Sequence, residues 1–227
     1  HDQKLWLMAK IPFDLNCMPI FSEYVMRIVG NKLGKSKRCL ICDLDNTLWG
    51  GVIGDDGLDG IRIGNGDPVS ESYLDLQKTI YEIRNRGVAL AICSKNNEEN
   101  ALLPFKKHPE MILKEKHFAI IQANWTDKAS NIKHISKSLS LGLESMVFLD
   151  DNPVERAQVR QELPEVAVPE LPNDPSLYVK TLLSAGYFEA ISFSEEDKKR
   201  AKSYEDNSKR LKLLKSSSNM NKFLKNL

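Results

Sequence analysis

Two aspartates, Asp43 and Asp45, follow a short apolar run in the stretch CLICDLDNTLWGG, residues 39–51. The run CLIC is typical of a buried strand. Because side chains alternate between the two faces of a strand, both acids are expected on one face where the strand ends. Carboxylates held so close repel each other, and burying them costs free energy. Such a pair is useful where a cation binds or a reaction needs acids, so the sequence predicts chemistry at this strand end.

Polar side chains also end the later apolar runs. Ser94 closes the run VALAICS, Lys128 follows the run HFAIIQA and a short turn, and Asp150 and Asp151 come directly after MVFL. In an open parallel sheet, ligands bind beyond the carboxyl ends of the strands. These side chains are therefore expected to surround one site together with the first aspartate pair.

This combination of side chains is typical of phosphoryl transfer assisted by Mg²⁺, an ion that prefers hard oxygen ligands such as carboxylates. One carboxylate can attack phosphorus, while a hydroxyl group and an ammonium group bind the phosphoryl oxygens. Ser94 and Lys128 carry those two groups. Asp45, on the same face as Asp43, can protonate a leaving oxygen and later deprotonate the attacking water.

Four segments, DLDNT, CSKN, TDK and LDDN, resemble in this order the signature of the haloacid dehalogenase (HAD) superfamily. That signature is DxDx[TV], a Ser or Thr at a strand end, a Lys, and an acidic pair. By this resemblance Asp43 is the nucleophile and Asp45 is the general acid and base. Ser94 and Lys128 are then phosphate ligands.

The resemblance also implies Mg²⁺ as the cofactor. Its implied ligands are Asp43, the backbone carbonyl of Asp45, and Asp150, with Asp151 nearby.

Over residues 38–205 the chain is similar to the FkbH-like branch of the superfamily, in segments such as KRCLICDLDNTLWGGVIGDDG and LAICSKNNEEN. This similarity implies removal of phosphate from the acyl phosphate 1,3-bisphosphoglycerate. It also implies loading of a glyceryl unit, or in some cases a lactyl unit, onto an acyl carrier protein in trans or on an adjoining domain. An enzyme cysteine is implied to carry the acyl group, and Cys93 is the candidate beside Ser94. Because side chains alternate along a strand, Cys93 is expected to face away from Ser94. A role as a small buried core residue is therefore at least as well supported as a role in carrying the acyl group.

From Val88 onward, apolar runs alternate with helical patterns, which predicts repeated βαβ units. The expected fold class is α/β, a Rossmann-like three-layer α/β/α domain with a mainly parallel sheet. A helix and a strand use most of the interval from Ser94 to Lys128, so a capless or minimal-cap form is expected. The glycine-rich stretch after Asp45 predicts a short hairpin flap, and VAVPELP (166–172) predicts a fifth strand.

Three regions are predicted along the chain. Residues 1–37 are interpreted as a lead-in from an upstream region, with a helix in FSEYVMRIVGNKLG, and residues 38–193 as the catalytic domain. Residues 194–227 carry ten Lys and Arg against five Asp and Glu, which predicts a basic helical appendage.

Composition limits the location and the partners. The 32 Lys and Arg residues nearly balance the 31 Asp and Glu residues, so neither a nucleic acid nor a membrane is expected as a partner. No apolar run approaches the roughly 18 residues of a spanning helix. Four cysteines are present, and the two with CxxC spacing, Cys39 and Cys42, fall inside a predicted buried strand. Reduced thiols and a cytoplasmic location are therefore expected.

Aromatic and histidine residues give weaker signals. Trp49 and Trp125 follow motif residues and are interpreted as packing rather than ligand-binding side chains. His108, His117 and His134 lack metal-ligand spacing and are interpreted as surface or loop residues.

Other functions remain open on the sequence. One is a stand-alone phosphatase of a small phosphorylated metabolite, and another is a scaffold without catalysis. A third is a receiver-like phosphoacceptor domain, which uses the same residue types. In receivers, however, the acidic pair precedes the phosphorylated aspartate, whereas here the DxD pair comes first.

Overall fold

The computed structural model describes residues 3–189 together with Ser203 and Asp206. The chain divides into two compact units: one is His1–Ser36 with Glu189–Ser192, and the other is Lys37–Phe188 with Phe193–Leu227. Apart from Ser203 and Asp206, the predicted basic appendage 194–227 lies outside the described residues.

The first unit is helical. It contains α1 (Gln3–Ala9), a 3₁₀ turn (Leu15–Cys17) and α2 (Met18–Lys32). Within this unit the Asn31 side chain donates to the Glu189 carbonyl at 2.7 Å. Across the described part of the chain, no helix combines the length and the apolar character needed to cross a membrane.

A parallel sheet forms the centre of the second unit. Its strands are β1 (Cys39–Cys42), β2 (Ala89–Ser94), β3 (Ile120–Ala123) and β4 (Met146–Leu149), in the order β3-β2-β1-β4. Every residue of β1, β2 and β4 is buried, which explains why these strands are continuous apolar runs. The predicted α/β fold is confirmed, and the strand that precedes the aspartate pair lies inside the sheet.

Helices cover both faces of this sheet. They are α3 (Ile53–Gly60), α4 (Pro68–Asn85), α5 (Glu98–Lys107), α6 (Lys128–Leu139), α7 (Pro153–Glu162) and α8 (Tyr178–Ser184), with 3₁₀ turns at Glu115–His117, Leu143–Ser145 and Pro175–Leu177. Alternate residues of β1 enter two separate cores: Leu40 packs in the cluster that contains Ile80 of α4, whereas Ile41 packs in the cluster that contains Ile132 of α6. The unit therefore has three layers, as predicted.

Side-chain caps fix where the helices near the sheet edge begin. Asp127 accepts a hydrogen bond from the Ser130 backbone at 2.8 Å, and Asn152 accepts one from the Val154 backbone at 2.9 Å. These caps satisfy amide groups that have no partner within the helix. As a result α6 begins at Lys128, and α7 begins directly after the second acidic pair.

Two predicted elements are wrong. The predicted fifth strand at 166–172 forms only an isolated parallel bridge between Val147 and Ala167, and Pro169 and Pro172 within it have no amide hydrogen to extend the ladder. The predicted hairpin flap is reduced to one antiparallel bridge, between Gly50 and Arg62, and helix α3 occupies the chain between those two residues. Glycine-rich sequence permits either conformation.

The interpretation of His117 as a surface or loop residue is also wrong, because its ring is buried. The 3₁₀ turn at Glu115–His117 directs the ring inward, where its centroid lies 5.1 Å from that of Tyr81. Its Nδ1 accepts a hydrogen bond from the Lys114 backbone at 3.1 Å. Burial lowers the pKa of His117 to about 4, so the ring is neutral at pH 7.

A buried glutamine ties α4 to two loops of the second unit. Gln77 is fully buried; its Nε2 donates to the Leu48 carbonyl at 2.9 Å, and its Oε1 accepts from the backbone amides of Ile112 and Leu113 at 3.2 and 3.1 Å. Because Leu48 lies in the loop that follows the aspartate pair, this side chain anchors that loop.

We expect Gln77→Met to lower the free energy of unfolding by about 2 kcal/mol or more, because each buried backbone group left unpaired costs roughly 1–3 kcal/mol. Urea denaturation followed by circular dichroism measures the loss. Gln158→Met is the matched control, since Gln158 is partly exposed and its side chain donates to Glu162 on the same helix rather than to buried backbone groups. Equal stability of the two variants would contradict the anchoring role.

Candidate active site

A polar cavity of about 180 Å³ lies at the carboxyl end of the sheet. The predicted site residues that line it are Asp43, Asp45, Ser94, Lys128 and Asp151. Asp150 is fully buried and contacts Lys128. The structure thus brings together side chains from the ends of β1, β2 and β4 and from the start of α6.

Lys128 lies between two carboxylates. Its Nζ is 3.0 Å from Asp43 Oδ2 and donates a short hydrogen bond to Asp150 Oδ2. The residue is only 3% exposed, so water does little to solvate its charge. Burial by itself lowers the pKa of Lys128, but the charges of Asp43 and Asp150 outweigh burial and the pKa is raised. Lys128 is therefore a fixed positive charge beside Asp43.

One ammonium group does not balance the acids around it. Oxygens of Asp43, Asp150 and Asp151 all lie within 4.8 Å of one another. Burial, and after it the charge of Asp43, raises the pKa of Asp150 to about 7. The same two causes raise the pKa of Asp151. The cluster retains uncompensated negative charge when all three acids are ionised.

These three acids fit a divalent cation. Asp43 Oδ1 is buried and has no hydrogen-bond partner in the protein, which is costly unless another group binds it. Hard oxygen ligands at this spacing suit Mg²⁺, which usually binds through a few carboxylates and retains water. The arrangement can therefore hold a metal ion and still leave a carboxylate oxygen of Asp43 for reaction.

Backbone hydrogen bonds position the acids. The Asp43 amide donates to the Leu149 carbonyl at 2.9 Å, which joins the end of β1 to the end of β4. The buried guanidinium of Arg156 donates to the carbonyls of Asp150 and Asp151 at 2.9 and 2.6 Å. The acidic pair is therefore held through its backbone, and its carboxylates remain directed to the cluster.

Thr47, in the DLDNT segment, couples the two acidic motifs. Its hydroxyl group donates to Asp151 Oδ1 and accepts from the Asp151 amide, both at 3.1 Å.

Asp45 has a different environment from Asp43. Its Oδ1 accepts from the Trp49 indole and the Ile53 amide, both at 3.0 Å, and its Oδ2 accepts from the Asn96 side chain at 2.8 Å. Burial raises the pKa of Asp45 above its ordinary value, although these three hydrogen bonds oppose the shift. A raised pKa suits a group that must carry a proton at one stage of a reaction.

The turn after Asp45 explains how Ile53 reaches it. Asn46 has a φ of 53°, in the left-handed region that asparagine tolerates, and its Oδ1 accepts from the Gly51 amide at 2.8 Å. The chain folds back at this point, which brings the first residue of α3 to Asp45.

Ser94 and Cys93 face opposite sides of β2. Ser94 lines the cavity, whereas Cys93 is fully buried in the core beneath α6 and its Sγ lies 3.8 Å from the Lys128 carbonyl oxygen. Burial raises the pKa of the Cys93 thiol, so the nucleophilic thiolate is disfavoured. The structure does not bring this predicted acyl thiol to the cavity.

Sequence reasoning missed several polar residues at the site. Asn96 contacts Asp45, and Lys95 and Glu155 line the cavity as an ion pair with 2.6 Å between Nζ and Oε1. Asn96 and Lys95 lie within the CSKN segment, so their positions beside Ser94 were a usable signal. Glu155 lies in the first turn of α7 and had no such signal. Trp49 is buried, in agreement with its interpretation as a packing residue, but its indole also donates a hydrogen bond to Asp45.

No protein-family model matches the chain, and no match was found among curated proteins. Among solved structures, the chain is similar to the N-terminal part of protein BF1531 from Bacteroides fragilis, which contains a phosphatase domain complexed with Mg. The two share 45% sequence identity with a TM-score of 0.77, over 85% of this chain and 51% of that chain. This chain therefore spans about half the length of that solved structure.

A hydrolase from Legionella pneumophila, provisionally assigned to the HAD superfamily (subfamily III A), has 17% identity and a TM-score of 0.39, over 86% of this chain and 99% of that chain. A chain from Corynebacterium glutamicum has 11% identity and a TM-score of 0.44, over 69% of this chain and 100% of that chain.

The raised pKa of Asp150 predicts a pH-dependent stability. Between the ordinary value of 3.8 and about 7, the folded chain holds a proton on Asp150 that the unfolded chain releases, so stability falls as pH rises through this range. We expect this loss to be on the order of 2 kcal/mol in EDTA and to be smaller in Asp150→Asn, in which only the other acids with raised pKa values, Asp45 and Asp151, still ionise.

The measurement is urea denaturation of both proteins from pH 4 to pH 8. Millimolar Mg²⁺ should reduce the loss in the unmutated chain, because a bound cation compensates the ionised acid. Parallel pH profiles for the two proteins in EDTA would show that Asp150 is ionised throughout and would contradict the electrostatics described above.

Proposed function

We propose that this chain is a Mg²⁺-dependent phosphatase of the HAD superfamily, acting on a phosphorylated small molecule through an aspartyl-phosphate intermediate. The observation that carries the proposal is the buried Asp43 carboxylate, with one oxygen beside Lys128 and the other without a protein partner. Similarity to a solved chain that contains a phosphatase domain supports the same activity.

The reaction follows from the two aspartates. A carboxylate oxygen of Asp43 attacks phosphorus, and the bond between phosphorus and the leaving oxygen breaks while Asp45 gives that oxygen a proton. Asp45 then takes a proton from water, whose oxygen attacks the aspartyl phosphate. Inorganic phosphate leaves, and both side chains return to their starting states. The raised pKa of Asp45 suits this alternation between acid and base.

Ser94 and Lys128 bind the phosphoryl oxygens in this proposal. Both line the cavity, and Lys128 stays charged because its pKa is raised. The ligands of Mg²⁺ would be the carboxylates of Asp43 and Asp150 and the backbone carbonyl of Asp45, with Asp151 nearby. The Asp45 carboxylate is excluded from this set, since three donors already occupy it. When bound, the ion offsets the negative charge of the phosphoryl group.

A finer proposal is loading of a glyceryl or related acyl unit from 1,3-bisphosphoglycerate onto an acyl carrier protein. It rests on the FkbH-like sequence segments around Asp43 and Ser94. An uncapped site supports it, because the interval between β2 and α6 contains only α5, one 3₁₀ turn and β3, so a carrier-borne arm can approach. The burial of Cys93 weighs against a covalent acyl group on that thiol.

The order of the strands bears on the receiver-like alternative. The strand order β3-β2-β1-β4 differs from the 2-1-3-4-5 order of flavodoxin-like receivers, so the receiver-like function is less favoured.

The cysteines at 17, 39, 42 and 93 are free thiols, which supports the proposed cytoplasmic location.

We expect the chain to release phosphate from small organic phosphates in the presence of Mg²⁺, and Asp43→Asn to reduce that release by at least about 10³-fold, because an amide is a poor nucleophile at phosphorus. A colorimetric phosphate assay measures the rate, and thermal unfolding checks the fold. Asp75→Asn is the control, since Asp75 is an exposed acid paired with Lys78 on α4. Equal rates for Asp43→Asn and the unmutated chain would exclude Asp43 as the nucleophile. A phosphorylated Asp43 that lasts for hours would favour the receiver-like function.

We also expect an acyl carrier protein to gain the mass of a glyceryl unit after incubation with this chain, Mg²⁺ and 1,3-bisphosphoglycerate. Intact-mass spectrometry of the carrier measures the gain. A carrier without its phosphopantetheine arm is the control and should stay unmodified. Phosphate release with no mass gain on the complete carrier would contradict the loading proposal and favour the alternative of a stand-alone phosphatase.

A further inference from the structure

A second ammonium group lines the cavity, and the reaction described above does not use it. Lys95 directly follows Ser94, and its Nζ lies 2.6 Å from Glu155 Oε1 at the start of α7. Both side chains line the same cavity as Asp43 and Lys128. Lys95 is more accessible than Glu155, with side-chain exposures of 37% and 12%.

Stability does not explain this pair. A partly exposed ion pair contributes between about 0 and 1 kcal/mol. The second carboxylate oxygen, Glu155 Oε2, is buried without a hydrogen-bond partner, which is unfavourable for folding. A pair kept only to join the β2 loop to α7 would be expected to use both oxygens.

The chemistry of Lys95 leaves it free to bind a ligand. An ammonium group has three donors, and Glu155 Oε1 takes one of them. Lys128, by contrast, is already engaged by Asp43 and Asp150. Among the described residues that line the cavity, Lys95 is thus the cation that the acidic cluster does not hold. The ion pair with Glu155 holds the Lys95 side chain at the lining of the cavity, beside Ser94, which is a phosphate ligand in the proposed function.

We propose that Lys95 determines specificity by binding a carboxylate of the substrate, and that Glu155 positions it. This inference rests on the proposed phosphatase function and is an alternative to the loading proposal, because 1,3-bisphosphoglycerate has no free carboxylate. The cavity of about 180 Å³ is smaller than the roughly 300–1,000 Å³ of sites for drug-sized ligands. Lys95 directly follows Ser94 and lines the same cavity, so the carboxylate that it binds lies a few bonds from phosphorus. The substrate class is a phosphate ester of a short hydroxy acid.

The test compares phosphoglycolate with its carboxamide, which has the same size and no carboxylate charge. We expect the unmutated chain to hydrolyse phosphoglycolate with a kcat/KM about tenfold higher or more, as charge-assisted hydrogen bonds allow. Lys95→Met should lower kcat/KM for phosphoglycolate much more than for the carboxamide, mainly through KM. Lys95→Arg should retain the preference, because it keeps the charge. Lys78→Met is the matched control, since Lys78 pairs with Asp75 on α4.

Three results would overturn the inference. One is an equal kcat/KM for the two compounds in the unmutated chain, and another is an equal loss for both in Lys95→Met. The third is no phosphate release from either compound or from p-nitrophenyl phosphate, in which case the proposed function fails as well. Hydrolysis without preference for the acid would therefore refute the role of Lys95 alone. Circular dichroism of each variant separates these results from misfolding.

Discussion

Three carboxylates share one buried ammonium group in this protein, and the structure around the cavity depends on that imbalance. Lys128 contacts Asp43 and Asp150, while Asp151 lies within the same cluster and has no lysine of its own. Burial strengthens the repulsion that remains, as the raised pKa of Asp150 indicates. A divalent cation would resolve the imbalance, and the proposed function needs it, because the cluster would otherwise repel a phosphoryl group.

The parallel sheet makes this concentration of charge possible. Strands β1 and β4 are neighbours, and the Asp43 amide bonds to the Leu149 carbonyl, so the two acidic motifs meet although they are far apart in the chain. Both strands are entirely buried and packed on two faces, so the core holds the acids close against their repulsion. The cap of α6 by Asp127 fixes Lys128 at the same edge. Strand packing and helix capping are therefore sufficient to bring the three carboxylates and the Lys128 ammonium group together.

The residues around the cluster could be predicted from the sequence to the extent that each had a local signal. Asp43, Ser94 and Asp150 each follow an apolar run, and a parallel sheet gathers strand ends. Alternation along β2 correctly turned Cys93 away from Ser94. The partnership of Lys95 with Glu155 was not predictable, because it depends on the path of two loops distant in the chain. Helix α3 was missed because its glycines are also compatible with a hairpin.

The arrangement separates three tasks among similar side chains. In the proposed function, Asp43 reacts through a carboxylate oxygen, Asp45 is held by three donors at a raised pKa, and Asp43 and Asp150 hold the cation with Asp151 nearby. A crystal structure with Mg²⁺ and beryllium fluoride, which mimics a phosphorylated aspartate, tests this division most directly. Beryllium bonded to Asp43, fluorine atoms beside Ser94 and Lys128, and Mg²⁺ on Asp43 and Asp150 are the predicted result. Beryllium or Mg²⁺ bound away from these residues would contradict it.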